Sequence, residues 1–299
     1  MKFLLLSVLL VTVELSTAQD DLMSLLDSTS KPKKEFVTSS FKSTRVINGQ
    51  SMEMLGKNVL DVRILHRFGL VNTGAGNFFG LDQASMRLGF DYGISRNFTI
   101  GVGRSTLGKE LDGFLKLRMI QQATGAKGAS PVSLLGVVGS TITTAKFPPD
   151  AQYTSLTYRM GYFSELIVGR KFSEAFSLQL SPVYVHRNKV LSPTDLNDTY
   201  ALGIGSRLKL SKRIAFVGDY HYIISGIDRN IYRNPLSLGF DIETGGHVFQ
   251  LHFSNSAGMN EKAFITNTTD SWGKGEVRFG FNLSRVFTLG KKSEKKKWN

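Results

Sequence analysis

Hydrophobic and polar residues alternate along most of this chain. In 275–289, Val277, Phe279, Phe281, Leu283 and Phe287 fall in one register, and Glu276, Arg278, Gly280, Asn282 and Ser284 fall in the other. A strand has a period of two, so these sets face opposite sides of one sheet. The stretch is also long beside the roughly 5 to 6 residues of an ordinary globular strand. The same alternation returns from residue 58 onward. Met86, Leu88, Phe90 and Tyr92 oppose Arg87, Gly89 and Asp91; Leu115, Leu117 and Met119 oppose Lys116 and Arg118. It predicts twelve strands, at 58–68, 84–92, 98–106, 111–121, 132–144, 158–171, 176–189, 199–210, 214–224, 236–244, 247–255 and 275–289. The 132–144 stretch is apolar in both registers. Glycine recurs at strand-like positions and no long 3.6-residue period appears, so helix is not expected.

The connections alternate as well. Tight turns are expected at 93–97, 173–175, 211–213 and 245–246, the last a Gly-Gly hairpin signal. Longer loops fall at 69–83, 145–157, 190–198, 225–235 and 256–274. Short turns at one end and long loops at the other are the pattern of outer-membrane barrels. Two connections depart from it: 107–110 is short where a long loop is due, and 122–131 is long where a tight turn is due.

A greasy strand face needs either a protein core or lipid. Twenty-one phenylalanines and nine tyrosines among 299 residues, together with the strand length, favour lipid. Closing the sheet then removes exposed edges and satisfies every backbone hydrogen bond. The expected fold is all-β, a transmembrane antiparallel up-and-down β-barrel of about twelve strands. Its interior is expected to hold a polar network. Arg87, Asp91, Lys116, Arg118, Arg159 and Glu165 fall on the polar registers of the first half. Arg207, Asp219, His221, Asp241, Glu243 and Arg278 do so in the second. Acids and bases on neighbouring strands are expected to pair across the lumen, leaving it occluded or narrow.

The ends differ from the rest. Met1-Lys2 followed by the apolar run 3–13 and by Ser16-Thr17-Ala18 predicts a cleaved signal peptide over 1–18. The run is too short to span a bilayer, which takes about 20 residues. Residues 19–56 are expected to form a periplasmic or lumen-entering segment, 57–290 the barrel, and 291–299 a basic tail. The absence of cysteine excludes disulfides and thiolate metal sites. The formal charge of +13 is scattered through alternating strands, so nucleic acid is not an expected partner.

Several segments resemble an outer-membrane β-barrel family of Bacteroidota, a domain of unknown function. They include FKSTRVINGQS (41–51), NFFGLDQASMRLGFDYGIS (77–95), DIETGGHVFQLHFSNSAGM (241–259) and FGFNLSRVF (279–287). The resemblance spans roughly 35–290 and is most specific at HVFQLHFSNS. It implies an outer-membrane barrel in a Bacteroidota-type envelope, and it supplies no catalytic residue, ligand or partner.

The sharpest chemical candidate is His252-Phe253-Ser254-Asn255. His-x-Ser on a strand puts both side chains on one face, and a Ser–His pair is the minimum for an activated hydroxyl nucleophile. The string is similar to the active-site strand of outer-membrane phospholipase A, which implies Ser254 as nucleophile and His252 as base, with Asn282 as a conceivable orienting group. Against this, Phe249, Leu251 and Phe253 form the greasy face, so His252 and Ser254 point into the lumen, away from lipid. Gly101-Val102-Gly103 and Gly203-Ile204-Gly205 follow strand alternation and precede no helix; they read as small lumen residues, not phosphate loops.

The expected function is a non-catalytic outer-membrane barrel, either a narrow solute path or a structural or assembly component, with outer-membrane lipid and other envelope proteins as partners and no cofactor. The alternatives are an outer-membrane lipid hydrolase using His252 and Ser254, and a soluble periplasmic barrel binding an apolar ligand.

Overall fold

A computed structural model of the chain describes residues 33–290, except 126, 147–154, 191–192 and 246. The expected signal peptide, the stretch that follows it and the basic tail lie outside the described residues. The strands are β1 (Glu35–Phe36), β2 (Val59–Leu70), β3 (Ala84–Gly93), β4 (Phe98–Ser105), β5 (Glu110–Ile120), β6 (Ala123–Thr124) and β7 (Ser133–Thr143). They continue as β8 (Met160–Lys171), β9 (Phe176–Arg187), β10 (Asp198–Lys209), β11 (Ile214–Ser225), β12 (Leu236–Thr244), β13 (His247–Ser254) and β14 (Arg278–Thr288). β2 to β5 and β7 to β14 close into one antiparallel barrel in which each strand pairs with its neighbour in sequence and β14 pairs back onto β2. The twelve wall strands correspond one to one with the twelve expected from alternation.

Wall strands run from 8 to 12 residues, the length that a tilted strand of about 9 to 11 residues needs to cross hydrocarbon. Alternate side chains of each strand are inside and buried, while Phe90, Leu115, Leu117, Val138, Ile224 and Phe240 stand exposed on the outer face. Burial in lipid rather than water makes that face favourable.

Four departures from expectation have local causes. The last strand begins at Arg278 rather than 275, because Trp272–Lys274 form a 3-10 turn closed by Gly275 in the left-handed region (φ 69°). β8 begins at Met160 because Thr157–Arg159 form another such turn, so Arg159 stands on the rim and not on a wall strand. The long 122–131 connection contains β6, which pairs with β1 of the N-terminal segment; its extra residues dock the incoming chain. The loop 256–274 contains a helix that alternation did not predict, α1 (Glu261–Thr266), opened by Asn260, whose side chain accepts the Ala263 N–H at 2.8 Å. Six residues are too few to print a helical period.

The apolar core lies inside the barrel. Phe41, Val46 and Met52 of the N-terminal segment and Phe264 and Ile265 of α1 pack with Leu135, Val137, Phe163 and Ile167 of the wall. This explains β7: Leu135 and Val137 face that inner cluster while Leu134 and Val138 face outward.

Candidate functional site

The lumen is filled from both ends. From the short-turn end the chain enters past β1, where the Val37 N–H donates to the Gln122 carbonyl at 2.9 Å. It then folds into a tight hairpin over residues 44–51, closed by Ser51 N–H to Thr44 O at 3.0 Å and Val46 N–H to Gly49 O at 2.8 Å. A polar loop buried this deeply must satisfy its backbone with something other than water, and the wall supplies it. Asp219 Oδ2 accepts the three successive tip N–H groups of Ile47, Asn48 and Gly49 at 3.2, 2.7 and 2.9 Å. Lys116 Nζ donates to the carbonyls of Ser51, Glu53 and Thr44 at 2.7, 2.9 and 3.3 Å. Gln179 receives the Met52 N–H at 2.8 Å and donates to Gln50 O at 2.6 Å. Gln250 and Asn282 donate to the carbonyls of Val46 and Ile47 at 2.7 and 3.0 Å.

From the long-loop end, α1 lies over the hairpin. Glu261 Oε1 accepts from Arg45 at 2.6 Å and from Gln50 at 3.0 Å, so one carboxylate joins the lid to the hairpin. Phe264 packs against the His221 ring, centroids 4.8 Å apart. The lid is anchored to the wall by Lys262 and Asn260, both donating to Glu110, and by Arg278 to Asp270 at 2.8 Å. Between the hairpin and the β8–β11 wall, the space bounded by Gln50, Glu165, Gln179 and His221 has no room for a water molecule. Cavities of about 320 Å³ at the short-turn end and about 180 Å³ at the long-loop end flank the filled region.

The charges expected in the lumen take several parts. Arg87 on β3 reaches over β4 to Asp112 on β5, with Nε to Oδ1 at 2.8 Å. It can do so because Gly103 lies beneath it: a Cβ there would come within 2.2 Å of the guanidinium. Gly101 likewise makes room for Phe114 and Asp91, so the Gly-x-Gly on β4 is a bed for side chains crossing it. Lys116 and Asp219 hold the hairpin, Arg207 reaches Ser40 O at 3.5 Å, and His221 lies 3.3 Å from Asp219. Asp241 accepts from Gln250 at 2.8 Å, and Glu165 is buried in the wall beside the hairpin. Arg118 and Glu243 lie toward the short-turn end, bonded to Gln121 at 3.0 Å and to Lys42. Arg278 lies at the long-loop end, and Arg159 on that rim donates to Ala145 O at 3.1 Å. The wall charges thus bind the inserted segment more than one another.

His252 and Ser254 share the inward face of β13 and are both buried. They are not joined: Ser254 Oγ accepts from the Ser237 hydroxyl at 2.8 Å and from the Ser256 N–H at 3.0 Å, and neither ring nitrogen of His252 has a hydrogen-bond partner among the described residues. Asn282 is committed to Ile47 and Gln250 and does not orient the imidazole. Sequence reasoning passed over Gln179, Gln250, Arg63, Arg67, Arg45 and Glu261. The signal available for the first four was a long polar side chain at an inward register position; Arg45 and Glu261 lie off the strands, where no register marks them.

A family model described as a membrane bound beta barrel domain matches residues 41–287. No curated protein matches the chain. Among solved structures, the chain is similar to the NanC porin (9% identity, TM-score 0.48, covering 77% of this chain and 100% of that one). It is also similar to the KdgM porin (10%, 0.45, 77% and 99%) and to an outer membrane channel from Pseudomonas putida F1 (12%, 0.46, 79% and 98%).

Proposed function

The chain belongs to the DUF5777 family of membrane-bound β-barrel domains, and on that premise we propose that it is a non-catalytic outer-membrane barrel held shut by its own N-terminal hairpin, whose solute path opens when the hairpin leaves the lumen. The short-turn end, where the N-terminal segment enters, faces the periplasm, and the long loops face outward, the usual orientation of such barrels. One observation carries the reading: two wall charges, Asp219 and Lys116, each hold three backbone groups of the inserted N-terminal segment. Hydrogen bonds to charged groups contribute roughly 1.5–3 kcal/mol each, so the closed state is held firmly. The hairpin is nevertheless separate from the wall ladder, whose strand-to-strand bonds do not involve it, and it can leave without unpairing a strand.

Planar-bilayer recording tests this. The intact chain is expected to be silent, and a chain lacking residues 33–56 is expected to conduct. Should the truncated chain not insert, Lys116→Met combined with Asp219→Ala in the full chain should produce intermittent openings. Steady conductance of the intact chain overturns the plug; silence of both folded variants removes the transport path and leaves a structural or assembly role.

A further inference from the structure

We propose that a groove on the outer face of β11–β14 is a fixed binding site for one acyl chain of a bilayer lipid, in the leaflet at the long-loop end. The inference goes beyond the plugged-barrel reading and does not depend on it, because the lumen takes no part in it.

The groove has a volume of about 440 Å³. Two aromatic pairs of the outward register wall it. On one side Phe216 meets Phe240 edge-on, ring centroids 5.6 Å apart; on the other Phe253 meets Phe279 at 5.5 Å. Leu238 and Leu251, the cross-strand partners of Phe253 and Phe240, lie between the pairs. The floor is backbone: Gly239 and His252 pair with each other across β12 and β13 and belong to the inward register. Trp272 stands at the end toward the long loops, its indole N–H donating to Leu236 O at 2.9 Å.

Position and shape name the occupant. Phe253 and Phe279 lie near the long-loop ends of β13 and β14, and Phe240 and Leu251 lie about half-way along β12 and β13. The groove therefore runs from the rim toward the middle of the membrane, the course of a lipid chain. Trp272 sits at the rim, the level at which indole rings anchor at a membrane boundary. The outward lining side chains are hydrocarbon apart from that indole N–H, which is already engaged; a protein partner gains no polar contact there, whereas an acyl chain needs none. Against a flat wall a chain touches protein on one side. In this groove it touches protein on three, and many small dispersion contacts add up. The walls are braced beforehand, because Phe279 also stacks on Phe68 at 5.8 Å, so little ordering opposes binding.

The test uses the protein's own fluorescence. Trp272 and Trp298 are the two tryptophans of the chain, so Trp298→Phe leaves the indole at the groove as the sole emitter. That variant of the full chain, in maltoside micelles, is titrated with phosphatidylcholine brominated in its acyl chains, which quenches an indole it touches. Saturable quenching is expected, with one lipid kept per chain in native mass spectrometry. Leu251→Phe, which puts a ring into the groove, should weaken both ~10-fold, the loss of on the order of ten favourable atom contacts. Phe253→Ala, which removes a wall, should weaken them as well, and Leu115→Phe on β5 should leave them unchanged. Heat-modifiable migration on gels verifies that each variant keeps the barrel. Quenching that rises linearly with lipid and never saturates, or binding equal in the folded groove variants, overturns the site. A lipid-free dimer that Leu251→Phe splits into monomers would assign the groove to a second copy of the chain and overturn the lipid site.

Discussion

The Asn48 N–H lies 2.7 Å from the Asp219 carboxylate, and the N–H groups on either side of it converge on the same oxygen. Successive N–H groups aimed at one point make a small anion-binding concavity; here the anion is a wall residue and the concavity is the hairpin tip. Asp219→Ala leaves three buried donors without an acceptor, each costing about 1–3 kcal/mol where no water replaces it. Hydrogen exchange at Ile47, Asn48 and Gly49 should rise by orders of magnitude while the wall amides keep their protection. Unchanged protection at the tip would mean that other contacts hold the hairpin.

Leu115 and Lys116 are adjacent and face opposite solvents, Leu115 exposed on the outer face and Lys116 fully buried inside. Leu115→Arg is expected to destabilise the barrel by about 2–4 kcal/mol, the cost of an arginine near the middle of a bilayer. Reversible urea unfolding in lipid vesicles measures it. A neutral result would place that face out of hydrocarbon.

Ser254 shares no hydrogen bond with His252 and accepts instead from Ser237 and Ser256. Ser254→Ala should cost on the order of 1 kcal/mol in stability for the lost buried acceptor, with phospholipid turnover in reconstituted vesicles the same as in the unaltered chain. Turnover that falls in the variant would restore the hydrolase reading.

Gly103 lies under the Arg87–Asp112 pair. Gly103→Val pushes the guanidinium off its carboxylate and leaves both charges buried apart, an arrangement that costs about 3–5 kcal/mol. The melting temperature in detergent should drop accordingly, whereas Gly113→Val, whose Cβ position is 3.5 Å from the nearest neighbour and half-buried on the other face, should change it little.

The wall was legible in the sequence because lipid and a polar interior impose opposite demands on successive residues. That contrast prints itself on Met86 to Tyr92 or Phe279 to Phe287 residue by residue. A lumen-entering segment was expected as one of two alternatives, but how it fills the barrel was not legible, for the same reason: residues 40–55 are mostly buried on both sides of the chain, so nothing forces a period on them. Their partners are amides such as Gln179 and Gln250, which look like any solvated lumen residue. The ten-residue connection at 122–131 was a further hint, an irregularity whose purpose, pairing β6 with β1, needs the folded chain to be seen.

Glu261 serves two masters, since the same oxygen receives Arg45 of the hairpin and Gln50 beside it. Withdrawing the hairpin strands an anion on the underside of the lid, and lifting the lid strands a cation on top of the hairpin; either orphan is costly in a dry interior. The inner bolt and the outer cover are therefore interlocked, and half-open forms are penalised relative to both the shut barrel and the fully cleared one.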